Sequence, residues 1–195
     1  MKKLDLSDVK NIYEHEKGRD AMLQRIIDLK RWRRLQLTPH LSLVFENRGT
    51  VLFQVQEMCR AERIVDAVRI QEQIDDYNDL IPSDRELSAT LFIEVDDASH
   101  LKAILERYMG IDTGDHVRIE IGTEHTVSAQ FEAGHSDEAR GKLSAVHFLK
   151  FGFTLEQVRA FRDSEVHLVV DHSGARARVR LPEEGKASLL EDLFA

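Results

Sequence analysis

The stretch VRIEIGTEHTVSAQF, residues 117–131, decides the fold class of this chain. Val117, Ile119 and Ile121 alternate with charged residues, and Val127, Ala129 and Phe131 resume the two-residue period after a short polar break. A two-residue loop at Gly122-Thr123 would set Ile121 opposite Glu124, with apolar positions of one strand facing polar ones of the other. A three-residue loop, Gly122 to Glu124, sets Ile121 opposite His125 and Ile119 opposite Val127, which keeps one face apolar. The register therefore predicts an antiparallel hairpin.

Strand spacing continues on both sides of it. Ala89, Leu91, Ile93 and Val95 alternate with Thr90 and Glu94, and a helix over 98–109 turns Leu101, Ile104, Leu105 and Tyr108 inward. Further on come a strand from about Ser144 to Phe151, a helix over 154–163, strands at Val166 to Asp171 and Ala177 to Leu181, and a closing helix over 184–194. The polar stretch 133–143 is a long connection, long enough to serve as a lid over a site.

Upstream, Ser7 caps a short helix through Ile12 that breaks near Gly18. A second helix follows with Met22, Leu23, Ile26, Ile27 and Leu29 and a basic end. Leu35 to Phe45 has strand spacing, and Pro39 puts that strand at an edge or breaks it, because proline cannot donate to a ladder. After the turn Asn47–Thr50, with Thr50 as cap, Leu52, Val55, Met58, Cys59, Val65 and Val68 predict an amphipathic helix. The acidic run QEQIDDYND leads to Leu80-Ile81-Pro82, where the helical part ends. The expected fold is α+β: a helical N-terminal part (1–82, with one strand) packed on a mainly antiparallel sheet or open barrel of six to seven strands (87–195) with inserted helices, all in one domain.

The chain has 195 residues, 42% of them hydrophobic and 32% charged, as expected of a folded core. Its net charge is −8, which disfavours nucleic acid, because binding a polyphosphate needs a segregated basic face. The basic run Arg25, Lys30, Arg31, Arg33 and Arg34 reads as a solvated helix end. One cysteine, Cys59, excludes an intrachain disulfide and any CxxC pattern. No apolar run follows Lys2-Lys3, and none approaches the ~20 residues of a membrane span, so a cytoplasmic location is expected. No dinucleotide fingerprint, phosphate loop, nucleophile elbow, HExxH or EF-hand loop is present.

Nine histidines keep a metal site open, although no two share helical i, i+4 spacing. His147 lies on one strand face with Ala145 and Leu149, His172 closes a strand after Asp171, and His40 shares a face with Ser42 and Glu46. His15, His100, His116, His135 and His167 read as surface residues. The denser polar group is Gln56, Arg60 and Arg63 at i, i+4, i+7, with Glu57 and Glu62 beside them. It suits either a salt-bridged solvent face or an arginine face for a carboxylate, a phosphate or an acidic partner.

The runs FENRGTVLFQVQEMCRAERI, YNDLIP, LSATLFIE and SAVHFLKF resemble the bacterial domain-of-unknown-function family 3501 over nearly the whole chain. Members of that family are often encoded beside rubrerythrin-like and iron–sulfur proteins. The resemblance implies a redox or peroxide-stress setting and a polar signature at Glu46, Asn47, Arg48, Gln56, Glu57, Arg60, Glu62 and Arg63, with His147 and His172 later. Gly49 stands where the family pattern implies an acid, and Ser173 where it implies proline. Two functions follow as expectations. One is an accessory protein that docks on a redox or iron–sulfur partner. The other is a metal-dependent enzyme or sensor holding iron, manganese or zinc through His40, His147, His172 and a carboxylate such as Glu46 or Glu57. A homodimer stays open.

Overall fold

Alternation of apolar and polar residues builds two antiparallel sheets, described here from a computed structural model covering residues 1–132, 136–137 and 142–194. The 133–143 connection, whose use as a lid the sequence leaves open, and His135 fall largely outside those residues. The first sheet joins β1 (Arg34–Thr38), β2 (Leu41–Glu46), β3 (Glu86–Ile93), β9 (Val146–Gly152) and β6 (Gln130–Phe131) in that order. The second runs β11 (Ala175–Arg180), β10 (Val166–His172), β4 (Val117–Ile121) and β5 (His125–Ser128). Residues 136–137 (β7) and 142–143 (β8) pair as a separate short ribbon.

The hairpin of residues 117–128 has the expected register, Ile121 opposite His125 and Ile119 opposite Val127. Gly122 takes φ +57° in its loop, a conformation glycine reaches without the Cβ clash. The same hairpin stitches the sheets together. β5 pairs with β4 in one sheet, and two residues later β6 pairs with β9 in the other, the Ala129 N–H between them donating to Val117 O at 2.8 Å. At the opposite seam β1 and β11 touch without a shared ladder, so the nine strands form an open barrel rather than a closed one. Leu43, Phe45, Leu91, Ile119, Phe151 and Leu168 meet in its interior. Helices α5 (Leu155–Asp163) and α6 (Glu183–Leu193) add Phe161, Leu189 and Leu193 to the same core, and Tyr108 and Ile111 enter it after α4 (Leu101–Arg107).

The outer face of the first sheet is covered by α1 (Ile12–Arg33), α2 (Arg48–Ala61) and α3 (Ala67–Asn78). A second apolar cluster, including Val51, Val55, Cys59, Ile74 and Ile81, fills the space beneath them against Phe148 of β9. β2 is consequently buried at every position, Ser42 and Glu46 included. Among the described residues no helix is long and apolar enough to cross a membrane.

Several expected boundaries move. Gly18 does not break a helix: α1 runs through it, because a Gly in an exposed helical position costs only ~1 kcal/mol while the helix buries His15, Ile26 and Arg33. Asn11 caps α1, and the segment around Ser7 is a single 3-10 turn, Leu6–Asp8. Asn47, not Thr50, caps α2, and Thr50 returns the bond by accepting from the Asn47 N–H at 2.9 Å, completing a capping box. The amphipathic pattern from Val51 to Val68 is two helices, separated at Arg63 and restarted by the Asp66 cap. Val65 and Val68 are exposed, as is Leu101.

Candidate docking site on the helical face

α1 and α2 run antiparallel, as their cross-links show. His15 and Arg19 meet Glu57, Glu16 meets Arg60, and Lys30 meets Glu46 at the far end. This ladder of polar contacts positions most of the residues the sequence singled out, and it uses several of them internally.

Gln56 is buried and pairs with the Lys10 backbone through both amide atoms at 3.0 Å, tying the N-terminal segment to α2. Glu57 accepts from Arg19 through both carboxylate oxygens, at 2.9 and 2.8 Å, and pairs with the buried His15 ring at 2.8 Å. The Arg19 bond is the main reason its carboxyl is held down to about 2, with His15 adding to it against the opposing effect of burial. Arg48 binds Lys2 O and Asp8, and Asn47 reaches Asp192 at 3.4 Å besides capping α2. Glu46 is buried under α1, accepting from Thr90 at 3.3 Å with Lys30 at 3.7 Å, while its Oε2 and the facing Ser88 Oγ lack a hydrogen-bond partner among the described residues. Only Arg60, Glu62 and Arg63 stand at the open end of α2, so the eight positions are not one exposed face.

The basic run also divides. Arg33 is not solvated: it is 1% exposed and binds Asp192 at 2.5 Å and Ser188 through side chain and carbonyl. Burial holds the Asp192 carboxyl above the usual carboxylate range despite that arginine. Lys30, Arg31 and Arg34 instead line a groove of about 850 Å³ between α1 and α2, closed at one side by Tyr77 of α3. Its floor is apolar, with Leu23, Ile27, Phe53 and Met58, and Arg60 stands at the end away from Arg34. Ile27 is 53% exposed and adjoins the other apolar side chains of that floor. Glu57 lines the groove as well, and Lys30, Arg34 and Arg60 are paired with Glu46, Glu94 and Glu16.

The histidines separate. His40 sits in the β1–β2 turn with Nδ1 3.1 Å from Glu94 O. His147 points into the barrel, fully buried, with Nε2 donating to Ser144 O at 2.8 Å and Nδ1 3.7 Å from Asp112. It therefore lies on the other side of the sheet from Glu46 and α2. His172 uses both ring nitrogens: Nδ1 accepts from the Gly174 N–H and Nε2 donates to Met109 O, each at 3.0 Å. Burial lowers its pKa. Among the described residues no three His, Cys, Asp or Glu side chains are grouped to hold a metal ion, so these three histidines form no such set with Glu46 or Glu57. His15 and His167 are buried rather than superficial.

Sequence pattern does not single out Arg19, Asp192 or the groove floor. The adjacent pair Ile26-Ile27 was the available signal, since one helix stripe buries only one of two neighbours well, and here Ile26 is buried and Ile27 is not.

Fold and site together define an α+β protein built on an open antiparallel barrel with a three-helix layer carrying a cation-rimmed groove. The chain belongs to the family described as Protein of unknown function (DUF3501), whose model matches residues 3–193. It is similar to a crystal structure, at 1.90 Å resolution, of a novel protein of unknown function from Burkholderia pseudomallei K96243. That likeness has a TM-score of 0.89 at 29% identity and covers 98% of this chain and 100% of the other. No curated protein matches the chain.

Proposed function

We propose that this protein is a non-catalytic accessory component that docks on an acidic surface of a redox or iron–sulfur partner through the α1–α2 groove and the Arg60–Arg63 end of α2. The observation that supports the reading is the groove itself: Lys30, Arg31, Arg34, Arg60 and Glu57 line an apolar trough. Among the described residues Arg31 is outside any ion pair, while Lys30, Arg34 and Arg60 face Glu46, Glu94 and Glu16. An acidic partner would meet Arg31 directly and compete with the chain's own carboxylates for the other cations, while the net charge of −8 repels it elsewhere. Arg63 supports it, because a non-glycine residue at φ +54° is a strained choice where glycine would close the helix more easily. The redox setting rests on the family resemblance. Tagged protein purified from its native cells is expected to carry a stoichiometric partner with iron or iron–sulfur absorbance, and the double variant Arg60→Glu/Arg63→Glu to lose it. Retention of the partner by the double variant refutes the proposal.

A further inference from the structure

We infer that the exposed stripe of α1 pairs with the same stripe of a second copy of this chain, antiparallel about a twofold axis. Along the helix the stripe reads acid, apolar, base: Asp20, then Leu23 and Ile27, then Arg31. Asp20 and Arg31 are eleven positions apart, about three turns of α-helix, so both face the way Ile27 does. Asp20, Ile27 and Arg31 are exposed, and Leu23 is half-buried. The other charges of this side are engaged within the chain, Glu16 with Arg60, Lys30 with Glu46 and Arg34 with Glu94. Among the described residues neither Asp20 nor Arg31 enters an ion pair, which leaves one acid and one base of the stripe for another molecule.

An acid–apolar–base order complements itself when it is reversed. A twofold axis passing between Leu23 and Ile27 runs the second α1 in the opposite direction. It sets Ile27 against Leu23 of the second copy and Arg31 against Asp20 of the second copy, each contact made twice. A parallel pairing would instead set Arg31 against Arg31, which like charges oppose. Phe53 and Met58 line the same groove as Leu23 and Ile27, so the apolar part of the seam is wider than one helix. Three turns of helix per copy make a small interface, and a weak dimer, with a dissociation constant of about 1–100 µM, is expected. The pairing does not depend on the docking reading, but it has a consequence for it: a copy in the dimer has Ile27 and Arg31 covered, so self-association and docking of the redox partner compete.

The test is sedimentation equilibrium of the full chain from about 1 to about 500 µM, at low and high salt. Reversible dimerisation is expected, weaker at high salt because the two ion pairs are screened. Asp20→Arg and Arg31→Asp alter exposed positions, so each should keep its melting temperature and weaken the dimer about tenfold or more. The double variant Asp20→Arg/Arg31→Asp should regain it, because the exchanged charges again meet as opposites across the axis. A monomer at every concentration, or single variants that dimerise like the unaltered chain, overturns the pairing. Failure of the double variant to recover overturns this register. Capture of the native partner should fall as the protein concentration rises through the dimer's dissociation constant, and capture that ignores concentration overturns the competition while the dimer stands. The accessory reading fails separately, when capture survives Arg60→Glu/Arg63→Glu.

Discussion

Replacing Arg63 by glycine sets stability against docking at one residue. The α2 C-terminus closes with the Ile64 N–H donating to Cys59 O at 2.8 Å across Arg63, the bond pattern of a helix ended by a left-handed residue. A residue with a Cβ in that conformation costs ~1–2 kcal/mol. Glycine removes that cost but returns ~0.5–1 kcal/mol through the greater freedom of the unfolded chain. The net expectation is a gain of ~0.5–1 kcal/mol. For a chain of 195 residues each kcal/mol moves the midpoint by about 2–4 °C, so calorimetry should show a rise of ~1–4 °C. The same variant removes one cation from the end of α2, and partner capture should fall. A lowered melting temperature refutes the strain argument, and undiminished capture removes Arg63 from the docking surface.

Other perturbations test the framework around the site. Asp192→Ala leaves Arg33 buried without its carboxylate and should cost ~3–5 kcal/mol in urea unfolding, whereas Arg33→Met with Asp192→Leu should cost far less, because the pair's desolvation cancels much of its attraction. Gly174→Ala would place a Cβ 2.0 Å from the Arg107 carbonyl oxygen, so the β10–β11 turn must leave α4, at a cost of ~3 kcal/mol or more. His172 and His167 both have lowered folded pKa values, caused first by burial. The unfolded chain therefore takes up those protons first, and stability present above pH ~6.5 should decline as pH falls through the folded values. A denaturation midpoint that is flat from pH 7.5 to 5.5, or a slope unchanged in His172→Gln, contradicts this assignment.

The parts of the fold legible in the sequence are those where one local rule decides the outcome. The β4–β5 register follows from alternation, since a two-residue loop would set Ile119 and Ile121 opposite polar residues. Pro39 falls in the turn between β1 and β2, the break that a missing donor implies, and β1 is an edge strand. Helix ends were less legible because capping is a competition between near neighbours. Asn47 and Thr50 both carry the required oxygen, and the capping box uses both, with only the backbone geometry saying which comes first. Gly18 and the Val65–Val68 pair misled in opposite directions: one breaker signal was overruled by packing further along α1, and one apolar pattern continued past a real break.

The candidate site divides along the same line, between residues whose roles are local and residues whose partners lie far away in the chain. Arg33 and Asp192 are 159 positions apart, and His15 and Glu57 are 42 apart. Nothing near Arg33 in the sequence separates it from Arg31 or Arg34, yet one is sealed under α6 and the other two line the groove. Periodicity does make the division, because Lys30 and Arg31 fall on the helix side shared with Ile27, while Arg33, the last residue of α1, shares the side of Ile26. An apolar pair followed by a basic cluster on the same helix therefore carries two messages one residue out of phase. One phase binds the chain to itself, and the other is left for a partner. The docking proposal draws on that second phase for Ile27 and Arg31 and on the end of α2 for Arg60 and Arg63.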